Sequence, residues 1–526
     1  MKNPQRFLPD QPLFDATPYG YGQDDSISIS YATENAAITQ HKLALKKTMI
    51  AYTARAGHLV TTDPHSPQPA AKIFYVSFTA NGASPSKRPV TFLYNGGPGS
   101  SSVYLLLGSF GPRRIKTSGI HYTPPAPYAL KDNQESLLDE TDLVFIDPVG
   151  TAYSTAIAPH KNSDFWGVDA DAGSIAQFVK RYLTAFNRWN SPKFLYGESY
   201  GTPRTCALTW LLHEEGVDLN GIILQSSLLD YSRIGDPIGL LPTLAADAWY
   251  HKKAKPRPPN LSKFTDDVAE FALTEYASAK ATFPKVNHPK VLQKLSGFLG
   301  IPPNVLKSWK LDPATHECKL FLTTLLKDES LSIYDGRVTA PDTGIAASIP
   351  GNDPAMMAVG SVYTAMWHAY LNNELKFTSV SPFLAQNTRM GFPIWNFGHT
   401  DPTGTKIIDN LDTIGDLAAA MELNPYLKVF SANGYYDAMS PFFQTKRNFE
   451  LLPLGSDDAR EKALRYNLTY RNYPAGHMIY LDDKSRIQMK RDLAIFYKGA
   501  APRKPEASIP IRPSKVRIRR ISRAAY

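Results

Sequence analysis

The sequence predicts an α/β fold: a mostly parallel central sheet with helices on both faces, broken late in the chain by a mainly helical insertion. Three observations predict it. Short apolar runs at 90–94, 143–146, 194–196 and 221–225 read as buried strands. Ile175, Phe178, Val179, Tyr182, Leu183 and Phe186 recur at helical spacing along one face. Strands alternating with helices argue for parallel strands joined by crossovers. The alternation then stops. The next clear buried run, Lys428-Val-Phe-Ser-Ala432, comes roughly 200 residues after position 231, where a crossover needs on the order of a dozen.

Residues 1–40 are polar and rich in turn formers, and read as a loosely held N-terminal arm. Residues 72–78 alternate as a strand, 82–89 form a turn, and Val90–Tyr94 is the next strand. Asn95-Gly-Gly-Pro-Gly-Ser-Ser-Ser102 follows directly. Its adjacent glycines let backbone amides approach a substrate closely, which is what an oxyanion hole requires. After the helix over 169–189 comes Phe194-Leu-Tyr-Gly-Glu-Ser-Tyr-Gly201, a buried strand running into G-x-S-x-G. Such a sharp turn between strand and helix exposes the serine hydroxyl, and glycine relieves the crowding two residues on either side. The run 206–212 supplies the apolar helix that must follow.

The insertion spans 232–420. It opens with helix-like 241–250 and a proline-rich turn around 255–259, then carries amphipathic helical runs at 262–281 and 289–299. An insertion placed after the nucleophile strand overhangs the carboxyl ends of the strands, where ligands bind in open α/β sheets. It is read as a cap on a discontinuous catalytic domain, 41–231 and 421–500, which a helix over 484–498 closes. An unassisted serine is a poor nucleophile and needs a base and a group that orients the base. In the chain order Ser, acid, His, Asp437 ends a loop after the 428–432 strand. His477 sits in the turn-rich loop Asn472-Tyr-Pro-Ala-Gly-His-Met478.

Composition bounds the rest. With 43% hydrophobic residues over 526 positions the chain can bury a large core. No apolar run approaches the ~20 residues that cross a bilayer. The first ten residues lack the apolar core of a secretory signal. The chain as it begins therefore reads as cytoplasmic, or as secreted or periplasmic if translation starts upstream. Residues 501–526 carry eight Lys/Arg against one Glu, net +7 of the total +9. That basic tail reads as a disordered, solvated end, with contact to nucleic acid or an anionic surface as the alternative. The 12 histidines form no pair at a metal-ligand spacing such as H-E-x-x-H, so neither metal nor cofactor is implied. Cys206 reads as a small buried side chain, and its pairing with Cys318 is left open.

Taken together, 95–102, 197–201, Asn433-Gly-Tyr-Tyr-Asp437 and Ala475-Gly-His-Met478 resemble the serine carboxypeptidase family, as does Phe145-Ile-Asp-Pro-Val-Gly-Thr-Ala-Tyr-Ser154. The matches keep family order over roughly 75–498. The resemblance implies an α/β-hydrolase fold with a cap and release of C-terminal residues from peptides. It assigns Ser199 as nucleophile, His477 as base and Asp437 as its orienting acid. The amides of Gly97 and Tyr200 become the oxyanion hole, and Asn95, Gly96 and Glu198 hold the substrate's terminal carboxylate. Two ionised carboxylates in one dry site repel, so Glu198 is expected to hold its proton more tightly than an ordinary glutamate.

Three departures from the family pattern stand out. Ser109 occupies the position of a second acid before Gly111-Pro112, which deprives Glu198 of its usual proton-sharing partner. Tyr94 replaces a tryptophan, and Ser100 a cysteine. The disulfides of secreted members cannot form with two cysteines, so the cap relies on packing. The alternative activity is acyl transfer or ester hydrolysis with the same triad. A binding protein that kept only the fold would show a broken motif, and none of the four is broken.

Overall fold

The computed structural model describes residues 9–501 apart from 47, 64–65, 316–317, 346–351, 392 and 409. The basic tail, from 502 onward, lies outside the described residues. The chain opens with β1 (Leu13–Asp15), then β2 (Ala36–Leu45), β3 (Thr48–Thr62), β4 (Pro69–Ala80), β5 (Val90–Tyr94) and β6 (Asp142–Ile146). Helix α1 (Val168–Ala185) leads to β7 (Lys193–Glu198), α2 (Gly201–Glu214) and β8 (Gly221–Gln225). After the insertion come β9 (Phe377–Ser379), β10 (Lys428–Gly434), β11 (Leu468–Tyr473) and a last helix, Asp483–Ala500.

The central sheet runs β11-β10-β8-β7-β5-β6-β4-β3-β2. From β11 to β6 every pairing is parallel, while β6, β4, β3 and β2 pair antiparallel. The sheet is thus mostly parallel, as expected, with an antiparallel third at one edge. Its long hairpin, β2–β3, is alanine- and threonine-rich and gave no apolar run to read.

Strand side chains alternate between two cores. Leu93, Phe194, Tyr196, Ile223 and Phe430 face one, with the last helix packed on them through Met489, Leu493 and Phe496. Phe92, Leu195, Ile222, Leu224 and Val429 face the other, covered by α1 and α2. Helices thus cover both faces, and β7, the strand that runs into Ser199, lies inside the parallel set. This is the α/β-hydrolase fold. Cys206 lies in the second core and Cys318 in the insertion, and they are not bonded to each other.

The insertion has two parts. Helices over Pro237–Tyr250, Leu261–Phe271 and Pro289–Leu299 share a core of their own with Phe298, Leu306 and Phe321. The helix Pro354–Asn373 instead lays Val359, Val362, Tyr363 and Trp367 on the first core of the sheet. Its length and continuous apolar face suit it to span the body rather than to cap it. The return segment is tied down by His399, which bridges Asp169 at 2.5 Å and Asp416 at 2.8 Å.

The described part of the N-terminal arm is firmly held, which corrects its reading as loose. β1 pairs in parallel with β9. Behind it, buried Asp15 accepts from Tyr19 Oη at 2.7 Å and from Thr17 Oγ1 at 2.6 Å, with Lys72 Nζ at 3.6 Å. Asp15 and Lys72 are both nearly inaccessible, so each depends on the other to offset its desolvation. Asp15→Ala is therefore expected to cost about 3 kcal/mol of unfolding free energy, read by urea denaturation. A change below about 0.5 kcal/mol, the range of ordinary surface substitutions, would show that the network contributes nothing.

Candidate active site

The proposed site residues lie at the carboxyl ends of four parallel strands, with β8 between β7 and β10. Asn95 follows β5, Ser199 follows β7, Asp437 lies just beyond β10 and His477 just beyond β11. Ser199 has φ +59°, an unusual conformation for a side chain with a Cβ. A Cβ added to Gly197 would run into the Gly201 carbonyl and lie 2.5 Å from Thr205 Oγ1, so glycine is obligatory there. This backbone conformation lifts the Ser199 side chain to partial exposure among buried neighbours.

Asp437 is completely buried. Its Oδ1 accepts from the N–H groups of Met439 and Ser440, each at 3.0 Å, and its Oδ2 accepts from the Ser440 hydroxyl. The same Oδ2 lies 2.8 Å from His477 Nδ1. That contact fixes the ring and leaves Nε2 as the nitrogen available for other work. Burial pushes the imidazole down, but the charge and hydrogen bond of Asp437, with Glu198 and Asp353 adding, hold it above its ordinary value. Among the described residues no hydrogen bond joins Ser199 to His477. Catalytic contacts of this kind commonly tighten only when substrate is bound.

The loop after β5 presses onto the elbow. A Cβ on Gly96 would lie 2.7 Å from the Glu198 carbonyl and collide with the Tyr200 N–H. Gly97 has φ +109° and is exposed, and neither its N–H nor that of Tyr200 has a hydrogen-bond partner among the described residues. Two unengaged donors beside a nucleophile can hold a developing oxyanion. The loop is pinned from behind. Asp147 accepts from the Ser102 N–H at 2.6 Å, and buried Arg204 donates to the Asn95 carbonyl at 2.8 Å and to Asp171 at 2.6 Å.

Glu198 is almost inaccessible. Its Oε2 accepts from Asn95 Nδ2 at 2.6 Å, and Tyr480 Oη lies 3.2 Å from both of its oxygens. Burial raises this carboxyl to about 7, against the opposing pull of His477, Tyr480 and Asn95. Ser109 is turned away and donates to the Leu105 carbonyl at 2.6 Å.

With that geometry in place, the comparisons are specific. The family model for serine carboxypeptidases matches residues 45–232. The chain is related to the serine carboxypeptidases. A serine carboxypeptidase-like protein of Arabidopsis thaliana is 28% identical over 173 residues, 30% of this chain and 34% of that protein. A pheromone-processing carboxypeptidase KEX1 of Uncinocarpus reesii is 30% identical over 147 residues, 28% of this chain and 20% of that protein. The matches thus span about a third or less of these relatives. The crystal structure of a prohormone-processing carboxypeptidase, KEX1, from Saccharomyces cerevisiae superposes with a TM-score of 0.52. It covers 87% of this chain and 95% of that one, at 17% identity, a likeness of fold.

The serine carboxypeptidase match contains Asn95, Gly96, Gly97, Glu198, Ser199 and Tyr200, and stops short of Asp437 and His477. Several residues of the site carry no motif. The insertion's segment 332–338 wedges between the acid and histidine loops. His477 N–H donates to the Tyr334 carbonyl at 2.7 Å, Met439 N–H to Ile333 at 3.0 Å, and the Tyr334 ring meets the imidazole edge-on at 5.2 Å. Ser226 Oγ donates to the His477 carbonyl at 2.7 Å. Beside Met439 a cavity of about 160 Å³ is lined by Leu228, Leu240, Ile333 and Ala438.

The packing of Gly96 on the elbow is directly testable. Gly96→Ala is expected to leave the protein folded but to slow Ser199 labelling by a fluorophosphonate at least tenfold, about what displacing an oxyanion donor costs. Labelling at the wild-type rate would mean that the loop does not need this approach.

Proposed function

We propose that the protein is a serine-type carboxypeptidase that removes C-terminal residues from peptides. The observation that carries this reading is a buried carboxyl, Glu198, covalently next to Ser199 and raised to about 7. A protonated carboxyl beside the amides of Asn95 and Gly96 is suited to grip another carboxylate, the free end of a peptide.

In this reading His477 Nε2 takes the Ser199 proton as Oγ attacks the scissile carbonyl, and Asp437 holds the ring and stabilises the imidazolium. The N–H groups of Gly97 and Tyr200 receive the oxyanion. The imidazolium gives its proton to the leaving amine, which departs as the released residue with its carboxylate still on Glu198. Water, deprotonated by His477, then hydrolyses the acyl-enzyme. The cavity beside Met439 suits an apolar side chain on the acyl residue. The helical part of 232–420 acts as the cap, and its 332–338 segment holds the acid and histidine loops together. Peptide and protein C-termini are the partners this implies. Among the described residues no helix is long and apolar enough to cross a membrane.

The two key groups set opposite limits. His477 must be neutral to act as base, and it sits above its ordinary value, so acylation improves as pH rises through that value. Glu198 must be protonated to meet a carboxylate, so binding weakens as pH rises through about 7. Peptides with a free C-terminus are expected to give a bell-shaped kcat/KM profile, and amidated peptides are expected to be poor substrates throughout. An ester without a carboxylate is expected to show only the ascending limb. Glu198→Gln is expected to abolish the descending limb for peptides. Equal cleavage of free and amidated peptides would refute the proposal, and a Glu198→Gln profile identical to wild type would remove Glu198 from it.

A further inference from the structure

Ser109 leaves Glu198 without a second carboxylic acid, yet the site is not left without a donor. Tyr480 lies three residues after His477, in the single turn Ile479–Leu481. Its phenol is completely buried and sits 3.2 Å from both Oε1 and Oε2 of Glu198. The turn is fixed by Arg486, which donates to the Tyr480 carbonyl at 3.2 Å. Space for the ring comes from Gly108. A Cβ there would lie 2.6 Å from Tyr480 Cε2 and overlap the Tyr363 hydroxyl. The residue before Ser109 thus opens room for a phenol, while Ser109 itself bonds to backbone.

We propose that Tyr480 is the positioning residue of the carboxylate site, its phenol standing in for the missing second acid by donating its one O–H to Glu198 and holding that carboxyl toward the substrate's terminal carboxylate. This rests on the carboxypeptidase reading. A phenol and a second carboxylic acid behave differently. A carboxylic acid loses its proton in the same pH range as Glu198, so an acid pair runs out of donors together. Burial and the adjacent Glu198 hold the Tyr480 proton far above that range. One donor therefore remains after Glu198 ionises.

The other groups facing Glu198 do not replace it. His477 and Asp437 lie toward the nucleophile and are engaged with each other. Tyr196 from β7 donates to Gln225 at 2.6 Å. Tyr363, from the helix Pro354–Asn373, has a hydroxyl with no hydrogen-bond partner among the described residues. The Asn95 amide already donates to Oε2.

The test is Tyr480→Phe, which deletes one oxygen. For a peptide with a free C-terminus, KM is expected to rise about fivefold or more at pH 6, the scale of a lost hydrogen bond to a neutral carboxyl, with kcat within about twofold. For an ester without a carboxylate, kcat/KM is expected to stay at the wild-type value. The carboxyl infrared band of Glu198, identified by its absence in Glu198→Gln, is expected to titrate at higher pH in Tyr480→Phe, because the ionised form has lost a donor. Site-specific 3,5-difluorotyrosine at 480 keeps the ring and strengthens the donor, and is expected to move the same band to lower pH. It also serves where Tyr480→Phe fails to fold. An unshifted band in either variant, or equal loss on ester and peptide, would overturn the proposal. The infrared titration needs no substrate. A wild type indifferent to a free C-terminus would therefore sink the carboxypeptidase reading while the band still decides whether the phenol governs Glu198.

Discussion

The rest of the site depends on one close approach: backbone of the loop after β5 lying against backbone of the elbow. Gly96 sits where any side chain would collide with the Tyr200 N–H. That contact sets the loop against the Tyr200 N–H and the Glu198 carbonyl, and the Glu198 side chain is almost inaccessible there. Burial in turn raises the Glu198 carboxyl to about 7. The approach of the loop to the Tyr200 N–H and the burial of the Glu198 carboxyl are thus consequences of the same absence of a Cβ.

Such an approach must be held from outside, because backbone against backbone offers little apolar area. The holding is ionic and buried. Arg204, completely inaccessible, lies 5.2 Å from the ring centres of both Tyr94 and Tyr200, pairs with Asp171, and reaches the Asn95 carbonyl. Helix α2 carries the arginine, α1 the aspartate and the β5 loop the carbonyl, so three elements are joined beneath the nucleophile. A buried pair of this kind adds little to stability over an apolar substitute, but it accepts few alternative geometries. Precision is the plausible return on its desolvation cost.

What the sequence made legible divides along the range of the contacts. Asn95 and Glu198 are marked only by the resemblance to serine carboxypeptidases, whereas Ser199 and Gly97 are visible in the sequence through local turn chemistry. Gly197, with a carbonyl in the way of any Cβ, is the clearest case. Asp437 and His477 are visible through chain order and the loops that present them. Ser440, Tyr334 and Tyr480 carry no such mark. Tyr480 meets Glu198 across 282 positions of sequence, and only the fold brings them together. The same limit explains the arm and the insertion. Asp15, Lys72 and His58 look like ordinary polar positions until three distant segments bury them together. The helix Pro354–Asn373 falls in the stretch read as cap, and a periodic apolar face would not have said which core it covers.

The loop after β11 deserves its place at the centre of the chemistry for a further reason. It carries His477, whose imidazole is charged on the acid side, and Tyr480, whose phenol touches Glu198. Glu198 and His477 also feel each other: an ionised Glu198 favours the imidazolium, and an imidazolium favours ionised Glu198. Left alone, that coupling would drift toward the one state useless for both tasks, a charged base beside a charged carboxylate. A bound peptide carboxylate opposes the drift, because it repels ionised Glu198 and so favours the protonated form. With Glu198 neutral, its charge near the imidazole is exchanged for that of the bound carboxylate, so His477 keeps its preference for the charged form while Glu198 keeps its proton. In the carboxypeptidase reading, the carboxylate site and the base are thus coupled through electrostatics alone, because one side chain, Glu198, faces both.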